Sequence, residues 1–281
     1  MSANSIESLY AKQGYYFPLR VLSVEDAGQL GRQLVNLGNS DWAKSLGYRG
    51  QLSQLHAVSP AVNRLIRNPA ILTAVESILG PDLMVWGSSV FMKPGNSPGF
   101  VSWHQDLTYW GLNNDQEVAV WIALGPVNRD NGCMRFVKGS HKHGQLAHSD
   151  TYDETNILTR GQHVELDVDE SDVVFVELEP GQASMHHGHL VHASGPNTTN
   201  EPRMGIVVNY ISTSVCQAVA KSDYAMLVQG EDRYHNFLHL PEPRGELDDD
   251  AMHWHHRIMT AHQEALYDGA ENEESSPLAS C

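Results

Sequence analysis

Three cysteines among 281 residues, Cys133, Cys216 and Cys281, are too few and too scattered for a disulfide framework or a zinc knuckle. A reducing cytoplasm is the expected setting. Basic residues are also scarce: 18 Lys and Arg face 34 Asp and Glu, a formal charge of −16. That balance argues against nucleic acid or an anionic membrane surface as partner, since both attract basic patches. No apolar run approaches the length needed to span a bilayer, and the opening Met1-Ser2-Ala3-Asn4 lacks the basic, then apolar, pattern of a secretory signal. No internal repeat is visible. The expectation is a soluble cytoplasmic protein acting on a small molecule; nothing in the sequence fixes its oligomeric state.

Hydrophobic residues make up 41% of the chain, enough for a sizeable core. Ser23 with Asp26 forms a helix cap, and Leu30, Leu34 and Leu37 then recur at helical spacing until Gly38. Asn68-Pro69 opens another helix, with Ile71, Leu72, Val75 and Ile78 as its buried stripe and Gly80 as its stop. Residues 83–92 read as a strand, and the apolar run Val118-Ala119-Val120-Trp121-Ile122-Ala123-Leu124 as a central strand covered on both faces. Asn131-Gly132 marks a tight turn before the strand Met134-Arg135-Phe136-Val137. Short strands between Gly, Pro and Asn turns, with helices gathered at the N-terminus, predict a mainly β, α+β fold: a jelly-roll barrel with helical cladding. One domain is expected over 1–270, with a helical part (1–80), a barrel core (83–212), and a C-terminal loop and helix (213–270). The polar tail 271–281 is expected to be disordered.

The chemistry concentrates in Trp103-His104-Gln105-Asp106, answered about ninety residues later by His192-Ala193-Ser194. On extended chain, residues two apart point the same way, so His104 and Asp106 can offer two metal ligands from one strand end. A third must come from elsewhere, and 185–192 holds several histidines. His186 and His187 are rivals to His192, but His192 alone is followed at once by Ala-Ser-Gly-Pro-Asn and, eleven positions on, by Arg203 opening an apolar strand. Two imidazoles and one carboxylate on one face of a metal leave open positions, the arrangement that suits non-haem Fe(II) oxygenases. An arginine fork grips a carboxylate through two parallel hydrogen bonds.

The run 91–211 resembles the phytanoyl-CoA dioxygenase family of Fe(II)/2-oxoglutarate oxygenases. The resemblance rests on the Trp-His-Gln-Asp-Leu segment, Trp121 in its apolar strand, Asn131-Gly132-Cys133-Met134, Lys138-Gly139-Ser140-His141-Lys142, and the His-x-Ser-Gly-Pro-Asn motif followed by arginine. It implies a double-stranded β-helix of the cupin kind, with Fe(II) held by His104, Asp106 and His192. 2-Oxoglutarate would chelate the metal while Arg203 holds its distal carboxylate and Ser194 donates a hydrogen bond. The same resemblance implies Trp121, Gln105 and Ser89 as lining for the co-substrate, dioxygen at the last position, and hydroxylation of an unactivated C–H bond with release of succinate and CO2. Asp106 argues against halogenation, for which relatives carry a small residue at that position.

For the substrate, Tyr109 and Trp110 follow the ligands, and the polar stretch 149–162 reads as a lid carrying Asn156 and Arg160. Arg135, His186 and Asn209 complete the candidates. Adjacent aromatics suit a cationic amine, whereas the basic residues suit a carboxylate, phosphonate or thioester. The alternative to an enzyme is a catalytically silent jelly-roll module that binds metal or 2-oxoglutarate.

Overall fold

Ser5, Ser23 and Ser40 start the first three helices by one device. Each sits in extended backbone, and its hydroxyl accepts the N–H three residues on, satisfying a donor that a helix start leaves unpaired. The structure, a computed structural model, describes residues 5–46, 51–153, 155–158 and 161–266; Arg160 and the tail 271–281 lie outside them.

Helices α1 (Ile6–Gln13), α2 (Val24–Gly38), α3 (Asp41–Ser45), α4 (Pro60–Leu65) and α5 (Pro69–Leu79) precede the main strands, and α6 (Asp249–Leu266) follows them. In α2 the predicted stripe of Leu30, Leu34 and Leu37 is buried, and the helix ends at Gly38, as expected, with Asn39 as its cap. Asn68 caps α5 by accepting the N–H of Ala70, and Ile71, Ala74 and Val75 form its buried face.

The strands are β1 (Tyr15–Arg20), β2 (Gln51–Ser53), β3 (Leu83–Lys93), β4 (Val101–His104), β5 (Glu117–Ala123), β6 (Met134–Val137), β7 (His148–Asp150), β8 (Gln162–Val164), β9 (Val173–Val176), β10 (Gln182–His186), β11 (His192–Ser194), β12 (Arg203–Ser212), β13 (Tyr224–Gln229) and β14 (Leu238–His239). The larger sheet runs β1-β10-β5-β12-β3-β13-β14, with β2 added on β3; the smaller runs β4-β11-β6-β9. These two sheets, with the helices outside the larger one, form the jelly roll that the turn spacing predicted.

Every residue of β5 is buried, as expected of a strand covered on both faces. Val118, Val120 and Ile122 join Leu34, Ile71 and Val75 in the core under the helices, while Trp121 and Ala123 belong to a second cluster on the opposite side. Period-two alternation therefore divides β5 between a packing face and a site face.

One expectation needs correction. The region after 212 is more than a loop and helix: β13 extends the larger sheet beside β3, and its signal was the apolar run Tyr224-Ala225-Met226-Leu227-Val228. The described part of 149–162, read as a lid, is fastened to the sheets and brings Leu158 and Gln162 to the cavity wall. β7 and β8 pair as a hairpin, Asn156 bridges to Phe100, and the Asn156 Nδ2 donates to Ser102 Oγ at 2.8 Å. Among the described residues no helix is long and apolar enough to cross a membrane.

Candidate metal centre

His104 ends β4 directly opposite His192 at the start of β11, so antiparallel pairing alone brings the two imidazoles together. Their ring centroids are 4.1 Å apart. Asp106 arrives differently from the extended geometry expected. It has helical backbone angles, φ −68 and ψ −47, and begins a single 3-10 turn over Leu107–Tyr109. That turn carries its carboxylate back beneath the histidines. Asp106 Oδ1 lies 3.2 Å from His104 Nε2 and 3.7 Å from His192 Nε2, and ligand atoms of the three residues all fall within 4.8 Å of one another.

The donor set fits a divalent metal. His104 Nδ1 lies 2.9 Å from the Ser102 carbonyl oxygen and His192 Nδ1 lies 2.9 Å from that of Leu190. Each Nδ1–H is thereby fixed on the backbone, which leaves both Nε2 lone pairs facing the carboxylate. Burial, then the neighbouring His104, pushes the His192 imidazolium down to about 3, so the ring is neutral, the form that ligates. Burial alone would raise the Asp106 carboxyl; His192, His104 and His186 outweigh it and hold it well below the usual carboxylate range.

On the other side of the cavity Arg203 opens β12 and is 3% exposed. Burial lowers its guanidinium only to about 10, so it stays charged. One Nη donates to the Gly132 carbonyl oxygen, the guanidinium lies 5.0 Å from the Trp121 ring, and Nε has no hydrogen-bond partner. Gly205 makes room for that indole: a Cβ there would stand 2.0 Å from Trp121 Cζ2. Ser194 lines the cavity, and so does Ser89, whose hydroxyl donates to Ser53 Oγ at 3.0 Å. Lys93, the last residue of β3, is buried and donates to Ser194 Oγ at 2.8 Å.

His104, Asp106, His192, Arg203, Trp121, Ser194 and Ser89 line one cavity of about 420 Å³, within the range of small-molecule sites. Tyr109, Trp110, His186 and Asn209 also line it, and His186 Nε2 lies 3.5 Å from Asp106 Oδ2. His187 turns away toward Asp115, at 3.5 Å. Three candidates are placed elsewhere. Gln105 is fully buried behind the ligands, where its amide nitrogen donates to the Gly144 and His189 carbonyls and its oxygen accepts from Leu146 N. Arg135 lies over the Trp103 ring at 4.8 Å, and Asn156 fastens the hairpin. Arg160 lies outside the described residues. Gln54, Trp86 and His262 line the cavity without having been expected there.

Comparison with known proteins agrees with this geometry. The family model described as phytanoyl-CoA dioxygenase (PhyH) matches residues 30–205. Human peroxisomal phytanoyl-CoA dioxygenase is 32% identical over 149 residues, 51% of this chain and 44% of that one. A probable alpha-ketoglutarate-dependent hypophosphite dioxygenase of Stutzerimonas stutzeri is 26% identical over 173 residues, 60% of this chain and 59% of that one. The chain thus spans about half the length of these curated relatives. Among solved structures, the non-heme monooxygenase ThoJ in its apo form superposes with a TM-score of 0.83 at 33% identity, covering 96% of this chain and 100% of that one. With more than half its length inside the family model, and with two histidines and an aspartate gathered opposite a buried arginine, the chain belongs to the phytanoyl-CoA dioxygenase family.

Proposed function

We propose that this protein is an Fe(II)- and 2-oxoglutarate-dependent dioxygenase that hydroxylates a C–H bond of a small molecule, releasing succinate and CO2. The observation that carries the reading is the convergence of His104, Asp106 and His192 on one side of the cavity that Arg203 enters from the other. Iron bound there, with 2-oxoglutarate and dioxygen, supplies the oxidising power for the C–H bond.

The chain's own residues bind, orient and exclude water. His104 and His192 would hold the metal through Nε2 and Asp106 through its carboxylate, and a single carboxylate among the three would leave a divalent ion positively charged. The partnerless Nε of Arg203 leaves one edge of its fork for the distal carboxylate of the diacid. Because Ser194 Oγ already accepts from Lys93, its own proton is left to donate to that carboxylate. Trp121, Val207 and Met134 wall the space between and keep water out. The acidic balance and scattered cysteines support a cytoplasmic setting.

The test is succinate release by purified protein supplied with Fe(II), 2-oxoglutarate and ascorbate across a panel of small molecules, with mass spectrometry for one added oxygen atom. Asp106→Ala should abolish it, and Arg203→Ala should raise the KM for 2-oxoglutarate. Succinate release that survives Asp106→Ala would refute the assignment.

A further inference from the structure

Beyond His104, Asp106 and His192 the cavity continues along β12. Arg203, Val207 and Asn209 share the strand face that lines it, which sets Asn209 six residues from Arg203, roughly 20 Å at ~3.3 Å per residue. Asn209 pairs with Gly87 on β3. The next pair is Tyr210 with Val85, so Trp86 is the extra residue of a bulge, and its indole turns into this far end. There it stacks on His262 of α6, with ring centroids 4.0 Å apart, and lies 5.0 Å from Trp110.

Gln54 determines the polarity of this end. It is 4% exposed and holds φ +60, a left-handed conformation that few non-glycine residues take and that marks strain retained at a site. Its Nε2 lies 2.9 Å from His262 Nδ1, and His262 Nε2 lies 3.3 Å from Asp223 Oδ1, bent away from a straight hydrogen bond. Asp223 is itself fixed by Trp86 Nε1 and Gln217 Nε2. The amide atom that faces Nδ1 is the Gln54 nitrogen, a donor, so Nδ1 accepts and the ring's proton sits on Nε2, toward Asp223.

The amide oxygen is then left over. Gln54 Oε1 is buried with no partner, and so is Asn209 Oδ1. Gly87 lets the two amides meet, since a Cβ there would stand 3.2 Å from Asn209 Nδ2 and 3.7 Å from Gln54 Nε2. Two orphaned acceptors in the cavity end that Trp86 and Trp110 also line call for a donor, because a buried carbonyl left unmatched is costly. Among the described residues Arg203 is the one Lys or Arg lining the cavity, so no lysine or arginine stands at the far end to pair with an anion.

Resting on the oxygenase reading above, we propose that the far end of the cavity binds an N–H-bearing head group of the substrate, an amine or amide, through Gln54 Oε1 and Asn209 Oδ1. The geometry selects a nitrogen donor over the carboxylate, phosphonate and thioester that the sequence alone left open. Aromatic walls and neutral carbonyl oxygens also suit the charged ammonium form.

The test uses three probes of one shape, benzylamine, benzamide and benzoate, dialysed against oxygen-free protein loaded with Fe(II) and 2-oxoglutarate. Benzylamine and benzamide should bind at millimolar concentration and benzoate at least about tenfold more weakly. Asn209→Leu and Gln54→Leu should each weaken benzylamine by about tenfold while leaving the 2-oxoglutarate charge-transfer absorption intact. The proposal is overturned if benzoate binds as well as benzylamine, if neither nitrogen probe binds, or if both leucine variants bind benzylamine like the parent. A parent protein lacking the absorption band overturns the oxygenase reading instead, and the ranking of the probes still decides the head-group claim.

Discussion

Lys93 Nζ donates to Ser194 Oγ at 2.8 Å, inside a wall where the lysine is 2% exposed. Lys93 also pairs with Arg203 across β3 and β12, so two basic side chains lie behind the place proposed for the distal carboxylate. Burial, and then Arg203, lower its ammonium to about 7.

Lys93→Met should therefore raise the KM for 2-oxoglutarate by about tenfold with a smaller change in kcat, because the lysine acts through Ser194. It should also alter the pH dependence of stability. Between about 7 and 10.5 the unfolded chain keeps a proton that folded Lys93 has released, so stability rises with pH through that window. The slope approaches about 1.4 kcal/mol per pH unit. Urea melts across the window should show the rise in the parent protein and its loss in Lys93→Met.

Gly205→Ala should destabilise the fold by about 1–3 kcal/mol, because the new methyl overlaps Trp121 at 2.0 Å and the strand must shift. As Arg203 rests on the same indole, 2-oxoglutarate affinity should fall with it. Thermal melts and a 2-oxoglutarate titration check the two effects together.

Glu117→Gln should stabilise the protein at neutral pH. Burial, with Asp106 and Asp115 adding repulsion, raises the Glu117 carboxyl well above its usual range, although the Gly188 N–H it accepts works the other way. From 4.5 upward to its folded value the folded chain holds a proton that the unfolded chain has lost, so ionisation weakens the fold as pH rises. Glutamine keeps an oxygen for Gly188 without the charge. Denaturant midpoints at acid and neutral pH should differ less in the variant than in the parent.

Much of this arrangement was legible where local rules govern. Leu30, Leu34 and Leu37 announced α2 by spacing, and the unbroken apolar run announced β5. His192 stood out from its neighbours because motif and arginine followed it. Gln105 shows the limit of resemblance. The alternation used to bring His104 and Asp106 together already set Gln105 on the other face, where it clamps three backbone groups. Arg135 and Lys93 could not be sorted from sequence, because which strand residue faces the cavity depends on pairing between distant segments. Gln54 and His262, 208 positions apart, meet only through the packing of α6 against the sheet.

The central claim is that His104, Asp106 and His192 form one metal site with 2-oxoglutarate anchored across from it. Oxygen-free titration with Fe(II) and 2-oxoglutarate, followed by charge-transfer absorption, tests it most directly. The account predicts saturation at one iron per chain in the parent, and no band in Asp106→Ala or His192→Ala although both remain folded by circular dichroism. A band of undiminished strength in His192→Ala, or none in the parent, would contradict it.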